Sequence, residues 1–315
     1  MENTHLNKPE SLNKPLVTVA MVTYNSAAYV EAAINSVLAS SYKNFELLIA
    51  DDRSTDNTWD IISNYSDQRI RAWQNDNNLG EYANRQKCIQ EGKGKYFLFL
   101  DGDDILYANA LETYVYNAEA HPEAAMVIQK GYFNNVVFPV KLNPEQIYEW
   151  EFCRNSLLAS SFSSNFFKTQ LLKDINIPTN LIAGDEYVRH LLACQHPVLF
   201  ISGWLTWPRE TPGQASSKLI NGIGLAESYY LFKLFSQKSL YPVSQDLLQK
   251  VDEHYRHLLT KLVIKNLAKR RFQLVKQIMN KACIKRADFR IRPASKPSVL
   301  CKDKNYTPAN PLMQK

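Results

Sequence analysis

The sequence predicts an α/β protein, a doubly wound mixed sheet followed by a helical, basic C-terminal extension. Three observations carry that expectation. Apolar runs recur at residues 16–22 and 45–50, broken only by Thr18 and Glu46, and unbroken at 96–100, with helix-like stretches between them. Strands buried on both faces of a parallel sheet read as continuous apolar runs rather than as alternation. Two of these runs end in acids, Asp51-Asp52 and Asp101-Gly102-Asp103-Asp104, and open α/β sheets bind ligands outside the carboxyl ends of their strands. Finally, residues 261–296 carry 12 Lys or Arg against the single acid Asp288, so the rest of the chain is net acidic although the whole is +6. At 315 residues the chain has room for one large domain, or a domain plus an extension.

Each element follows in order. Residues 1–14 form a polar tail, and 16–24 the first strand, with Ser26 placed to cap a helix reaching about residue 39. The second strand spans 45–50, and residues 54–58 supply capping side chains for a helix carrying Trp59, Ile61 and Ile62. A short third strand at 70–74 leads through the loop 75–80 into a helix over 81–90, closed by Gly92 and Gly94. The run Tyr96-Phe97-Leu98-Phe99-Leu100 is the fourth strand. Strands alternating with helices imply parallel pairing and right-handed crossovers.

The end of that fourth strand is chemically the most demanding place in the chain. Asp101, Asp103 and Asp104 crowd together, repel one another and cannot be buried unpaired. Hard oxygen ligands this close suit Mn²⁺ or Mg²⁺, with phosphates completing the shell. An acidic turn that caps the next helix is the competing reading.

After residue 106 the pattern changes. A helix over 107–119 stops at His121-Pro122, and 124–129 and 131–140 read as strands. Residues 160–167 alternate Ser and Phe like one half-buried strand. Gly184-Asp185-Glu186 opens a helix in which Val188, Leu191 and Leu192 recur at helical spacing. Residues 198–201 form a strand, and 204–217 a Pro- and Gly-containing loop. Two amphipathic helices, 225–236 and 247–267, are broken at Tyr241-Pro242, and from 293 the chain is a Pro-, Ser- and Lys-rich tail. The basic stretch interleaves its cations with Leu267, Phe272, Val275, Ile278 and Met279. It suits either an anionic membrane surface or a solvated face on helices packed against the acidic domain. Segment limits follow: 1–14 tail, 15–220 α/β domain, 221–292 helical basic region, 293–315 disordered tail.

Five scattered cysteines, none in a CxxC pair, suggest a reducing compartment and no structural zinc. No run approaches 18 apolar residues, so the chain reads as cytoplasmic, peripheral to the inner face of a membrane at most. His190, His196, His254 and His257 have no metal-ligand spacing.

Five blocks occur in a telling order: Val22-Thr23-Tyr24-Asn25, Ile49 to Asp56, Asn78-Leu79-Gly80, Gly94-Lys95-Tyr96 and Asp101-Gly102-Asp103-Asp104. Together they resemble the nucleotide-binding half of family-2 glycosyltransferases, which are inverting, metal-dependent enzymes of the GT-A fold. The resemblance covers about residues 16–110, with weaker echoes to about 217. It implies a GT-A-like catalytic domain whose nucleotide-binding half is about 15–110 and whose acceptor half is about 111–220. It further implies a hexosyl transfer from a nucleotide-diphosphate sugar, a UDP-sugar, with Mn²⁺ or Mg²⁺. The acceptor would be a glycan or a lipid-linked hydroxyl in bacterial surface-polysaccharide assembly.

The same resemblance distributes roles. Thr23, Tyr24 and Asn25 form a hydrogen-bonding wall for the base, and Asp52 accepts the imide N–H of uracil; helix capping ahead of Ser54 is its alternative. Gly80 allows close approach of its loop to the nucleotide. Arg85 reaches a phosphate, or else is a solvated helix-face arginine. Asp101 touches the ribose or donor sugar, Asp103 ligates the metal, and Asp104 shares either task. Inverting transfer needs a base for the acceptor hydroxyl, which relatives hold in a Glu-Asp pair ahead of a helix. Here the order is Gly-Asp-Glu, with Asp185 favoured and Glu186 the alternative. The 204–217 segment resembles the loop that closes over the donor diphosphate, with Arg209 and Gln214 as donors. Two other classes compete. A nucleotidyltransferase would show a basic, Gly-rich phosphate loop, and residues 21–28 have none. A nucleic-acid-binding protein would use the basic stretch, but the acidic first 260 residues would repel phosphate backbones, so no nucleic acid is expected.

Overall fold

The computed structural model describes residues 14–131, 137–154, 156–211 and 215–289. The first half follows the predicted order: β1 (Val17–Thr23), α1 (Val30–Leu38), β2 (Phe45–Asp51), α2 (Thr58–Ser63), β3 (Ile70–Gln74), α3 (Glu81–Glu91) and β4 (Tyr96–Asp101). These four strands pair in parallel, in the spatial order β3-β2-β1-β4. Alternate side chains of a strand point to opposite faces, and both faces are buried here. Met21, Ile49, Leu98 and Leu100 pack beneath Ile34 and Val37 of α1, while Ala20, Ala50, Phe97 and Phe99 pack with Cys88 and Ile89 of α3. That double burial is why β1, β2 and β4 are mostly apolar, whereas the edge strand β3, Ile70-Arg71-Ala72-Trp73-Gln74, is only partly buried.

Then follow β5 (Ile105–Leu106), α4 (Ala110–Ala120), β6 (Met126–Lys130), β7 (Val140–Leu142), α5 (Pro144–Cys153), β8 (Asn165–Lys168), α6 (Thr169–Lys173), α7 (Gly184–Ala193), β9 (Val198–Ser202) and β10 (Thr206–Trp207). The sheet grows to eight strands, β3-β2-β1-β4-β8-β6-β9-β7. Strand β8 runs antiparallel to both β4 and β6, and β7 antiparallel to β9. The sheet is therefore mixed, and the carboxyl ends of β1, β2, β4, β6 and β9 share one edge with the start of β8.

Four local expectations are corrected. Ser26 does not cap α1; its carbonyl accepts the N–H groups of Tyr29 and Val30 in a turn, and the helix begins at Val30. The helix expected from 107 begins at Ala110, because Ile105–Leu106 pairs with Thr206–Trp207 in a small second sheet. Residues 160–167 are not one half-buried strand: Phe162–Ser164 is a 3₁₀ turn, and Asn165, Phe166 and Phe167 of β8 are buried on both faces. Of the strand expected over 131–140, residues 132–136 lie outside the described residues, and pairing is seen at Val140–Leu142.

Three helices complete the described chain: α8 (Ile223–Gln237), α9 (Gln245–Ala268) and α10 (Phe272–Lys281). Phe232, Phe235, Val263 and Ile278 join the same buried cluster as Phe97 and Phe99. The expected division near 220 thus falls within one continuous core. Among the described residues no helix is long and apolar enough to cross a membrane. Cys88, Cys194 and Cys283 are free thiols.

Candidate active site

The shared strand edge gathers the expected site residues unequally. At the end of β2, Asp51 and Asp52 are buried. Asp51 accepts from Thr23 Oγ1 (3.1 Å), Gln74 Nε2 (2.8 Å) and the N–H of Ser54 (3.0 Å), and from the Ser54 hydroxyl. Asp52 accepts from Asn75 Nδ2 (2.9 Å) and from the N–H groups of Leu79 (2.8 Å) and Gly80 (2.9 Å). Its carboxylate thus shapes the 75–80 loop and not, as the capping alternative had it, the turn at Ser54. Gly80 holds φ +85°, a left-handed conformation that favours glycine. Asn25, at φ +51°, spends its side chain on Thr55, whose N–H donates to Asn25 Oδ1 (2.8 Å). Tyr24 beside it is half exposed and Thr23 is buried.

Strand β4 delivers the second acidic group. Asp101 Oδ1 lies 2.6 Å from Arg85 Nη2. Arg85 is no solvated helix-face residue: it is buried, stacked over Phe99 and Phe162 at 5.3 and 5.0 Å. Although desolvation pulls the other way, the carboxylates of Asp101 and Glu81 hold its proton well above the ordinary range. Its Nε and Nη1 have no hydrogen-bond partner among the described residues. Asp103 accepts from the Thr211 hydroxyl (2.7 Å), and Asp104 is buried, accepting from the Arg209 N–H (3.2 Å) and Ser163. Desolvation, with the charges of Asp101 and Asp103, pushes the Asp104 carboxyl up to about 7. A side chain at Gly102 would place its Cβ 2.6 Å from the Thr23 methyl, so only glycine lets the turn close on β1.

The loop after β9 folds back over this turn. Through β10 it pairs with β5, and Arg209 lies between the rings of Tyr29 and Trp207 (5.6 and 5.8 Å). Gln214 lies outside the described residues.

The acidic pair at the head of α7 divides. Asp185 Oδ2 pairs with Arg189 Nη1 (2.8 Å), one turn along. Glu186 turns toward the helices, 3.4 Å from the Ser228 hydroxyl and beside a cavity of about 50 Å³ lined by Glu151, His190, Tyr241 and Tyr255. Burial pushes its carboxyl up to about 7, while His190, buried and bonded to the Tyr148 hydroxyl, is pushed down to about 3 and stays neutral.

Glu81, on α3, was not singled out from the sequence, although its position four residues before Arg85 was visible. It lies 3.3 Å from Arg85; burial raises its carboxyl above the ordinary range, Arg85 opposes this, and the charges of Asp101 and Asp185 add to it. The head of α7 and the end of β4 are thus within electrostatic reach of one side chain. Tyr82 ties them further: its hydroxyl donates to the Ile182 carbonyl (2.6 Å), and its ring fills the space a Cβ at Gly184 would need.

Among the described residues no three acids, histidines or cysteines converge as a metal cage. Asp101 and Asp103 flank Gly102 with partly exposed carboxylates. That donor set fits an ion that arrives with a diphosphate and keeps most of its shell from phosphate and water.

Comparison with known proteins agrees with this architecture. The family model described as glycosyl transferase family 2 matches residues 18–181, just over half of the chain, and stops short of Asp185. The chain is 40% identical over 97 residues to the Escherichia coli UDP-Glc:alpha-D-GlcNAc-diphosphoundecaprenol beta-1,3-glucosyltransferase WfgD, covering 31% of this chain and 38% of that one. It is 40% identical over 101 residues to the putative teichuronic acid biosynthesis glycosyltransferase TuaG of Bacillus subtilis, covering 31% and 40%. The chain thus spans about two fifths of the length of these curated relatives. Two solved structures share the fold. TarS 1-349 of S. aureus, in complex with UDP-GlcNAc, has a TM-score of 0.58 at 20% identity over 75% of this chain and 70% of that one. The mannosyltransferase PcManGT of Pyrobaculum calidifontis, in complex with GDP-Man and Mn²⁺, has 0.55 at 15% identity over 81% and 75%. The fold is GT-A-like, and the chain belongs to glycosyl transferase family 2.

Proposed function

We propose that this protein is an inverting glycosyltransferase that moves a hexose from a UDP-sugar to an acceptor hydroxyl, in bacterial surface-polysaccharide or glycan synthesis. One observation carries the reading: helix α3 joins the end of β4 to the head of α7, through Arg85 on Asp101 (2.6 Å) and through the Tyr82 hydroxyl on the Ile182 carbonyl (2.6 Å). A donor site and a base on the same edge are what a single displacement requires. The relatives support the donor and setting, since WfgD is named for UDP-Glc and a diphosphoundecaprenol-linked sugar.

In this reading Thr23, Tyr24, Asn25 and Asp52 receive the base; Asp52 has three of about four acceptor positions filled, which leaves room for one imide N–H. Asp101 meets the ribose or sugar, and Asp103, with Asp101 or Asp104, holds Mn²⁺ or Mg²⁺. A divalent ion there offsets the charge that gathers on the leaving diphosphate. Arg85 and Arg209 add positive charge at the same edge, Arg85 with two unpartnered N–H groups. Asp185 accepts the acceptor hydroxyl's proton as that oxygen attacks the anomeric carbon. Its pair with Arg189 fixes the carboxylate, whereas Glu186 faces the helices and is half protonated near neutrality.

The test is a panel of nucleotide sugars, with and without Mn²⁺, read by thermal shift. A binder stabilises the fold by mass action even when turned over slowly. Stabilisation by a UDP-sugar that depends on Mn²⁺ is expected; no response to any nucleotide sugar would overturn the reading.

A partner surface belongs to the same proposal. At the corner between α9 and α10, Phe272 is 62% exposed, Ile264 53% and Leu267 42%. Around them Lys261, Lys265, Lys269, Arg270, Arg271 and Lys276 are all exposed. Exposed apolar side chains ringed by cations suit the headgroup region of an anionic bilayer. Binding to anionic but not neutral vesicles, weakening with salt and lost when Lys269, Arg270 and Arg271 become Gln, is the expected result. Indifference to anionic vesicles at low salt would remove this partner and leave the transfer reading intact.

A further inference from the structure

One member of the basic segment turns inward. Lys281, the last residue of α10, places its Nζ 3.1 Å from Oε2 of Glu227 and donates to the Asn180 carbonyl (3.2 Å). Glu227, on α8, has 0% exposure. Its other oxygen accepts the N–H groups of Ile182 (2.6 Å) and Ala183 (3.0 Å). Those two residues immediately precede α7, and their far side is held by Tyr82, whose hydroxyl takes the Ile182 carbonyl. The peptide that leads into Asp185 is thus clamped through both its N–H and its C=O groups.

The chemistry of the clamp is specific. A carboxylate can gather two backbone N–H groups at once, but a buried one is costly unless a positive charge accompanies it. Lys281 supplies that charge. We propose that Glu227 and Lys281 are positioning residues: together they fix the start of α7 and so hold the Asp185 carboxylate at the strand edge. The C-terminal helices thereby contribute to the reaction without touching a substrate. This inference rests on the reading of Asp185 as the base.

The experiment compares Lys281→Met, Lys281→Arg, Glu227→Gln and Asp185→Asn in the full chain. Three quantities are read: amide hydrogen exchange over residues 178–190 and over the β1, β2 and β4 peptides, UDP affinity with Mn²⁺, and kcat for UDP release from UDP-glucose and UDP-N-acetylglucosamine. Lys281→Met should speed exchange at 178–190 at least about tenfold while the strand peptides keep their protection. It should lower kcat by about ten- to a hundredfold, the scale of a small misplacement of a reacting group, with UDP affinity within about twofold. Lys281→Arg should restore both. A folded Lys281→Met with parental exchange at 178–190 overturns the proposal, as does a loss shared equally by UDP affinity and the strand peptides. Should Lys281→Met fail to fold, Glu227→Gln decides by the same readings and should show the same losses, because it needs no cation but holds the two N–H groups with a weaker, neutral acceptor. Parental turnover by Asp185→Asn overturns the base assignment itself, and is told apart because exchange at 178–190 is then undisturbed in that variant.

Discussion

The ends of β2 and β4 look alike in the sequence, each an apolar strand closing on adjacent acids, yet they keep different company. Asp51 and Asp52 are surrounded by donors from Thr23, Ser54, Gln74, Asn75, Leu79 and Gly80. Their charge is used to build the loops. Asp101 and Asp103 each have fewer protein donors, from Arg85 and Thr211, and Asp104 is driven toward protonation by the other two. Asp51 and Asp52 are largely satisfied by their own chain, with one acceptor position of Asp52 to spare. Asp101 and Asp103 keep most of their acceptor capacity.

The sharpest way to extend that contrast is the third acidic pair, at α7. Asp185→Asn should cost about 10²- to 10⁴-fold in transfer, the usual contribution of a general base, at unchanged UDP affinity, while Glu186→Gln stays within a few-fold of the parent. Near-parental transfer by Asp185→Asn would move the base elsewhere. Next, Asp103→Ala should weaken Mn²⁺-dependent UDP binding by at least about a hundredfold, the order of 2.7 kcal/mol, and leave the melting temperature almost unmoved. Calorimetric titration of UDP with and without Mn²⁺ checks this, and tight Mn²⁺-dependent binding in the variant would erase the distinction between the strand ends.

Asp52→Ala should do the reverse. It strands two backbone N–H groups and Asn75, and stranded buried donors cost about 2 kcal/mol or more, visible in urea unfolding of the protein without nucleotide. An unaltered urea midpoint would mean that Asp52 is as free as Asp103. The smallest effect concerns Glu186. Its folded carboxyl is raised from 4.5 to about 7, so the folded state binds the extra proton, and stability is fully present below about 4.5 and lost as pH rises toward 7. Glu186→Gln should flatten the melting temperature across that window; an unchanged slope would assign it to another group.

Much of the β2 and β4 contrast lay beyond reach of the sequence, and the reasons are physical. Strands β1, β2 and β4 were legible because double burial forces continuous apolar runs, and Asp101 to Asp104 because crowded acids at a strand end demand a partner. Arg85 was left open between phosphate and solvent, since its burial depends on Phe162, which comes from a distant 3₁₀ turn. Glu227 was invisible because its partners lie 44 and 45 residues away and nothing local marks a helix acid as buried. The strand expected over 160–167 shrank to β8, and its antiparallel direction was out of reach for the same reason, since both come from pairing with β4 and β6.

That reversed strand also sets the order in which the protein can be made. As the chain leaves the ribosome, β1 to β4 can assemble by local crossovers, but β4 stays an open edge until residues 165–168 emerge to pair with Tyr96, Phe97 and Leu98. An unpaired, wholly apolar edge strand is a template for another chain's strand. A nascent or truncated chain ending near residue 160 should therefore associate through β4, an edge that Asn165 to Lys168 cover in the full chain.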